Sequence, residues 1–232
     1  MSFFYTLFKK LYLRYKRANI ENRYRGKLLL SSGAVVGEGS KFEGENSIGA
    51  RTRFRGTMGL CSYIGPDCSF SAYIGRFTSI APSVRCSSGY HMYKEPFVSC
   101  SPVFYSIRGQ ANGFHFSDKQ IANEFKYYDN EKKISLKIGN DCWIGEQAFF
   151  VSGIEVCDGA VVLARAVVTR DVPPYSIVGG VPARILGYRY DEATIDFLIQ
   201  TRWWNNDIRW FKDNWTMMCN MAEFKKYYGY NT

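Results

Sequence analysis

No two of the cysteines in this chain are spaced C-x-x-C, and only two histidines occur in its 232 residues. The seven cysteines (Cys61, Cys68, Cys86, Cys100, Cys142, Cys157, Cys219) are odd in number and scattered, so spacing announces neither a zinc site nor a disulfide framework. They read as small apolar fillers in a reducing compartment. Long apolar runs are missing too: stretches such as 149–154 and 160–164 fall far short of the roughly 20 residues that span a bilayer. The N-terminal apolar run ends at Lys9 with no cleavage-like stretch behind it, which argues against a signal peptide. The expectation is a cytoplasmic protein that does not cross a membrane.

What charge there is lies in one place. The net charge is +9, but residues 1–30 hold eight basic side chains against Glu21 alone, a local +7. The remainder is nearly balanced, which excludes a uniformly basic nucleic-acid-binding surface and leaves a basic arm at 1–30. Within that arm Phe4, Leu7, Phe8, Leu11 and Tyr15 recur at helical spacing, with Lys9, Lys10, Arg14 and Arg17 elsewhere around the helix. Such a helix suits peripheral contact of residues 1–20 with an anionic membrane surface, or capping of whatever follows it; both readings stay open. Aromatic residues are abundant at 17%, with 17 Tyr and 17 Phe.

The informative feature is a period of six. Ile138, Ile144, Phe150, Val156, Val162 and Val168 are evenly spaced, each followed four places later by Cys142, Ala148, Ile154, Ala160, Ala166 and Val172. The same period runs through Val36, Phe42, Ile48, Phe54 and Leu60, slips phase to Ile64 and Phe70, and slips again to Ile74, Ile80 and Cys86. Neither a helix nor a two-residue alternation produces this. A six-residue unit makes one short strand and a corner, three close a triangular coil, and about five coils stack in parallel into a prism. Gly at 139 and 145 is expected to serve the turns. Between Cys86 and Ile138 the rhythm stops, and Pro96, Pro102, Gly109 and Gly113 mark a long loop, 87–134. Past Gly187 a helical stripe of Ile195, Leu198, Ile199 and Trp203 follows the N-cap candidate Asp191; with the later tryptophans it reads as a helical cap over the open end of the prism.

The repeats resemble those of the hexapeptide acyltransferases, more closely the xenobiotic and capsule or O-antigen O-acetyltransferase branch. The wording is carried by Tyr73-Ile-Gly-Arg-Phe-Thr-Ser-Ile-Ala-Pro-Ser-Val84, Gly-Tyr-His91, Phe97 to Tyr105, Ile138-Gly-Asn-Asp-Cys-Trp-Ile-Gly145, Asp171-Val-Pro-Pro174 and Val178-Gly-Gly-Val-Pro-Ala-Arg184. The resemblance implies an all-β, left-handed parallel β-helix at 31–187 with the inserted loop 87–134, flanked by the N-terminal arm and a helical region at 188–232. It implies acetyl-CoA as donor and a homotrimer with sites between subunits. Metal is not implied: zinc enzymes on this fold use three His ligands, and two histidines cannot supply them.

Residue by residue, His91 matches the family's catalytic base, a group neutral near pH 7 that takes the acceptor's hydroxyl proton. The oxygen then attacks the thioester, and His91 returns a proton to the leaving thiolate. His115 lacks a matching flank and reads as a loop histidine. No cysteine sits beside a basic partner in a recognisable nucleophile motif, so a covalent acyl-enzyme is disfavoured. Trp143 matches a residue packed near the thioester arm. Ala164 and Thr169 match the pantetheine and nucleotide groove, Arg170 and Arg184 the positions facing the CoA phosphates, and Gly179 and Gly180 a close approach to the adenine ribose. The expected acceptor is a sugar hydroxyl of a surface polysaccharide or its lipid-linked precursor, because the resemblance at Phe97 to Tyr105 favours the saccharide branch over the antibiotic-modifying one. Alternatives are a chloramphenicol- or streptogramin-type alcohol, sugar N-acetylation, and a non-catalytic β-helix scaffold.

Overall fold

The computed structural model describes residues 3–230, with side chains from Leu11 onward. The chain folds into a parallel β-solenoid of triangular section, with one helix before it and three after. Its first face stacks strands Leu28–Leu30, Asn46–Ile48, Tyr63–Ile64, Ser79–Ile80, Trp143–Ile144, Val161–Val162 and Ser176–Gly180 in order. The second runs from Val35–Val36 through the first half of Arg53–Met58 and of Ser69–Ile74 to Arg85–Ser87, Phe149–Val151 and Val167–Val168. The third runs from Lys41–Phe42 through the second halves of those two long strands to Leu136–Ile138 and Ile154–Val156. The final strand, Ala183–Tyr188, turns back antiparallel on Ser176–Gly180 and closes that end. Seven parallel levels on the first face exceed the expected five coils, because the period continues unrecognised at Leu30 and Val178.

A stack of inward residues on each face builds the core. Ile48, Ile64, Ile80, Ile144 and Val162 stack on the first face, with Phe54, Phe70, Phe150 and Val168 on the second, and Met58, Ile74, Ile138 and Val156 on the third, all buried. The small partners Cys142, Ala148, Ala160 and Ala166 are buried toward the corners, as are the larger Ile154 and Val172 of the same series.

The phase slips have a structural cause. Arg53–Met58 and Ser69–Ile74 each run straight through a corner as one alternating strand, so these turns need two residues fewer. Met58, not Leu60, therefore takes the third inward place of its turn; Leu60 is only half-buried, outside the core. Gly139 and Gly145 also differ from expectation. Neither has a positive φ; the left-handed corners fall two residues later at Asp141 (φ 54°) and Gln147 (φ 60°). What requires glycine is contact between coils: a Cβ on Gly145 would meet the Ala164 nitrogen at 2.4 Å.

Helix α1 (Phe3–Arg23) meets the first coil with its C-terminal half. Ile20 packs against the core, and the Arg17 guanidinium donates to the carbonyls of Leu30 (2.6 Å) and Ser31 (3.0 Å), edge groups of the first turn. Leu11, Leu13 and Tyr15 are exposed. The side chains of Phe4, Leu7 and Phe8, on which the membrane reading rests, lie outside the described residues. Among the described residues no helix is long and apolar enough to cross a membrane.

The C-terminal helices do not cap the open end. Helices α2 (Glu192–Thr201), α3 (Ile208–Asn214) and α4 (Met221–Tyr227) pack along a side edge of the prism. That edge is one corner repeated in successive coils: Asp141 N–H donates to Arg76, Gly159 to Asn140, and Tyr175 to Asp158. Phe77 and Tyr175 leave this edge to join Phe197, Leu198, Trp203, Trp204, Met217 and Phe224 in a second core. Large aromatics at two corners give the helices a side surface to bury, and the antiparallel strand already occupies the end. Asp191 is the N-cap of α2, accepting from the Thr194 N–H at 2.8 Å.

Candidate active site

The inserted loop leaves the second face after Ser87 and returns at Leu136, so it springs from the edge between the second and third faces. Its stem is held by backbone pairing: Tyr90 N–H donates to Glu124 and Lys126 N–H to Ser88, both at 3.0 Å. His91 is the next residue, fixed at the mouth of the stem yet exposed. Its Nδ1 lies 2.8 Å from the carbonyl oxygen of Cys100. A carbonyl only accepts, so Nδ1 carries the proton and Nε2 presents its lone pair outward.

The segment Phe97 to Tyr105 builds that mount. Tyr105 is buried against Phe97 (ring centroids 5.4 Å apart), and its hydroxyl donates to the same Cys100 carbonyl at 3.1 Å while accepting from Met92 N–H at 3.3 Å. Deeper in the loop the buried Glu124 carboxylate accepts from Ser106 (2.5 Å), Gln110 (2.5 Å) and Gln120 (3.1 Å). Burial pushes this carboxyl up, but those three donors and the Arg108 charge outweigh it and hold Glu124 below its ordinary value. Neither Tyr105 nor Glu124 carries a sequence signal of its role, since both act only through the loop's folded path.

Two levels beyond the loop exit, on the same edge, lie Thr169 and Arg170. With a spacing of about 4.8 Å between coils, these positions sit on the order of 10 Å along the axis from the stem. Thr169, Arg170 and Arg184 line one cleft of about 290 Å³ with Val178 and Pro173. Gly179 and Gly180 pair in register with Arg184 and Ala183, directly beside it. Both guanidiniums are exposed. Three of the seven residues expected to hold the donor, Thr169, Arg170 and Arg184, thus line this cleft. Trp143 projects from the first face, 52% exposed, and Ala164 sits at the corner after Val161–Val162, one coil before Gly179 and Gly180. His115 is occupied locally, its Nδ1 2.8 Å from the Ser117 carbonyl.

Burial pushes the thiols of Cys68 and Cys157 up to about 11 and that of Cys86 up to about 12, so these three hold their protons at neutral pH and are poor nucleophiles. Among the described residues no group of three His, Cys, Asp or Glu side chains is arranged to hold a metal ion.

Comparison with known proteins decides the family. A chloramphenicol acetyltransferase from Klebsiella aerogenes is 41% identical over 158 residues, 67% of this chain and 70% of that protein. The chain belongs to the hexapeptide-repeat acetyltransferases. A chloramphenicol acetyltransferase from Agrobacterium fabrum is 52% identical over 56% of this chain and 58% of its own length. A probable macrolide acetyltransferase from Lysinibacillus sphaericus is 41% identical over 29% of this chain and 38% of its own length. No family model matches. A solved maltose O-acetyltransferase from Clostridium difficile 630, 21% identical over 74% of this chain and 75% of that chain with a TM-score of 0.45, is too distant to carry an inference. Acetyl transfer is the chemistry of the family, and acetyl-CoA is its donor.

Proposed function

We propose that this acetyltransferase moves the acetyl group of acetyl-CoA to a hydroxyl of a small acceptor, with His91 as general base. The observation that carries this is the 2.8 Å contact between His91 Nδ1 and the Cys100 carbonyl oxygen. With Nδ1–H committed to Cys100, Nε2 is the free acceptor that a hydroxyl proton requires. The thioester end of the donor would lie toward His91, and its phosphates toward Arg170 and Arg184 in the cleft at the end of the same edge.

Relatives named for chloramphenicol and macrolides support a drug-sized alcohol above the polysaccharide hydroxyl that the sequence put first. The segment Phe97 to Tyr105, which favoured saccharides in the sequence, spends its buried tyrosine and a backbone carbonyl on mounting His91. That removes its weight as an acceptor signal.

A homotrimer is part of the same reading. Leu29, Tyr63 and Trp143 are exposed in one register column on the first face, alternating with Ser47 and Ser79. Packed against the loop-bearing edge of a second copy, this column would supply Trp143 to a groove that one chain leaves without it. Light scattering at micromolar concentration should give three times the chain mass; a monomer would overturn the shared groove.

The activity is tested by following thiol release from acetyl-CoA with chloramphenicol, maltose and glucosamine in parallel. Turnover is expected with chloramphenicol, and His91→Ala should lower it roughly 10²–10⁴-fold with acetyl-CoA binding intact. Turnover with maltose alone would restore the saccharide reading, and with glucosamine alone the N-acetyl one. Wild-type rates in His91→Ala would remove the assigned base, and no turnover in any arm would leave a scaffold.

A further inference from the structure

One cavity of the described residues lies away from His91. It measures about 570 Å³ and opens between the solenoid edge bearing Phe77, Asp141 and Tyr175 and the C-terminal helices. Its walls are mostly rings and thioethers, among them Trp203, Phe211, Met217, Met221 and Phe224, with the aliphatic Leu198. A volume of this size at a junction of two layers suits a drug-sized molecule.

The floor is polar and unfinished. Tyr175 is 0% exposed and lines the cavity, and its hydroxyl proton finds no acceptor among the described residues; the neighbouring Trp203 indole N–H can only donate. Buried hydroxyls are ordinarily paired, so this one marks a position where an acceptor is wanted. Burial, reinforced by the Asp141 charge, raises the hydroxyl above its usual range, so it keeps its proton and can donate. Beside it Arg189 Nη1 donates to Asp141 Oδ2 at 2.8 Å and to the Gly159 carbonyl at 2.9 Å. The ion pair cancels the charge at the floor, and this selects against a strongly charged ligand.

We propose that this cavity is a second binding site, taking a neutral, ring-containing molecule whose oxygen accepts the Tyr175 hydroxyl proton. The rings of Trp203 and Phe211 supply stacking or edge contacts to the ligand's ring, and the methionines adapt to its outline. The site shares no residue with the His91 mount or the arginine cleft, so it stands or falls apart from the acetyl-transfer reading.

The probe is 4-nitroacetophenone, a neutral ring with a carbonyl oxygen and an efficient quencher of indole fluorescence. Titrated into the full chain, it should quench the tryptophans at the cavity saturably, with equilibrium dialysis giving the same affinity. Tyr175→Phe should weaken binding roughly five- to tenfold, the worth of one hydrogen bond. Its melting midpoint should stay level or rise, because the variant removes a buried hydroxyl whose proton has no acceptor. Cys219→Phe, at the exposed lip, should obstruct entry, and His91→Ala should bind as the parent does. Absence of saturable binding, parental affinity in both Tyr175→Phe and Cys219→Phe, or loss of binding in His91→Ala would each overturn the proposal.

Discussion

His91 and Tyr105 share one acceptor, the Cys100 carbonyl oxygen, at 2.8 Å from the imidazole Nδ1 and 3.1 Å from the phenolic oxygen. The tyrosine touches no reacting atom in the proposed scheme; it fixes the carbonyl that fixes the tautomer. Tyr105 is 1% exposed, so Tyr105→Phe leaves the packing against Phe97 in place and removes only the hydroxyl. We expect kcat to fall about fivefold to tenfold, the worth of one net hydrogen bond, with the KM for acetyl-CoA unchanged. A pH–rate profile separates positioning from general weakening: the ascending limb should shift in Tyr105→Phe if the imidazole is held less firmly. An unmoved limb with a lowered melting temperature would make Tyr105 purely structural.

Arg170 and Arg184 should behave in the opposite way. Both line the terminal cleft, far along the edge from His91, so neither meets the transferring group. Arg170→Ala and Arg184→Ala are each expected to raise the KM for acetyl-CoA about tenfold or more, as loss of a charge-assisted contact to phosphate does, with kcat nearly kept. The deficit should shrink as salt rises, because screening weakens the contact in the parent. A fall in kcat at saturating donor would contradict the proposed direction of the donor along the edge.

The pH dependence of the loop follows from Glu124. Its carboxyl is held below the ordinary value of 4.5, so the stability it lends is complete above that value and is lost as pH falls through the lowered folded value. Hydrogen exchange of loop amides between pH 6 and pH 3.5 should show protection at 106–124 failing toward the acid end, ahead of the solenoid. Glu124→Gln should be less protected near neutrality and lose most of that acid slope. An identical slope in the variant would place the acid sensitivity elsewhere.

The prism was legible because its core repeats one residue per six, and each of Ile138, Ile144, Phe150, Val156, Val162 and Val168 is buried as that period requires. The assignments of His91, Arg170 and Arg184 rest on flanking motifs alone, since nothing about a single histidine announces a base. The mount was not legible: it depends on a backbone carbonyl at Cys100, which has no residue-type signal. The helices' place was misread because an apolar stripe states that a helix buries one face without stating against what. Only Phe77 and Tyr175, large residues at corners that elsewhere take Cys61 or Gly159, hinted at a side surface.

The straight corners yield the sharpest stability prediction. Where Arg53–Met58 passes from the second face to the third, Gly56 adopts φ 142°, and a Cβ there would lie 1.8 Å from the Ala72 carbonyl oxygen in the next coil. Backbone cannot yield as a side-chain tip can, because both strands are locked into the same ladder by register pairs from Arg53↔Ser69 to Met58↔Ile74. Gly56→Ala therefore combines a disfavoured conformation with a backbone overlap and should cost about 3 kcal/mol or more. Gly26→Ala is the matched control: it too has a positive φ, 72°, but nothing lies within 4 Å of the place its new methyl group would take, so it carries only the conformational part, about 1 kcal/mol. Thermal melts of the two variants against the parent would resolve the difference. Equal losses would mean that the coils separate locally at Gly56, and that the two-residue saving in this turn does not depend on glycine.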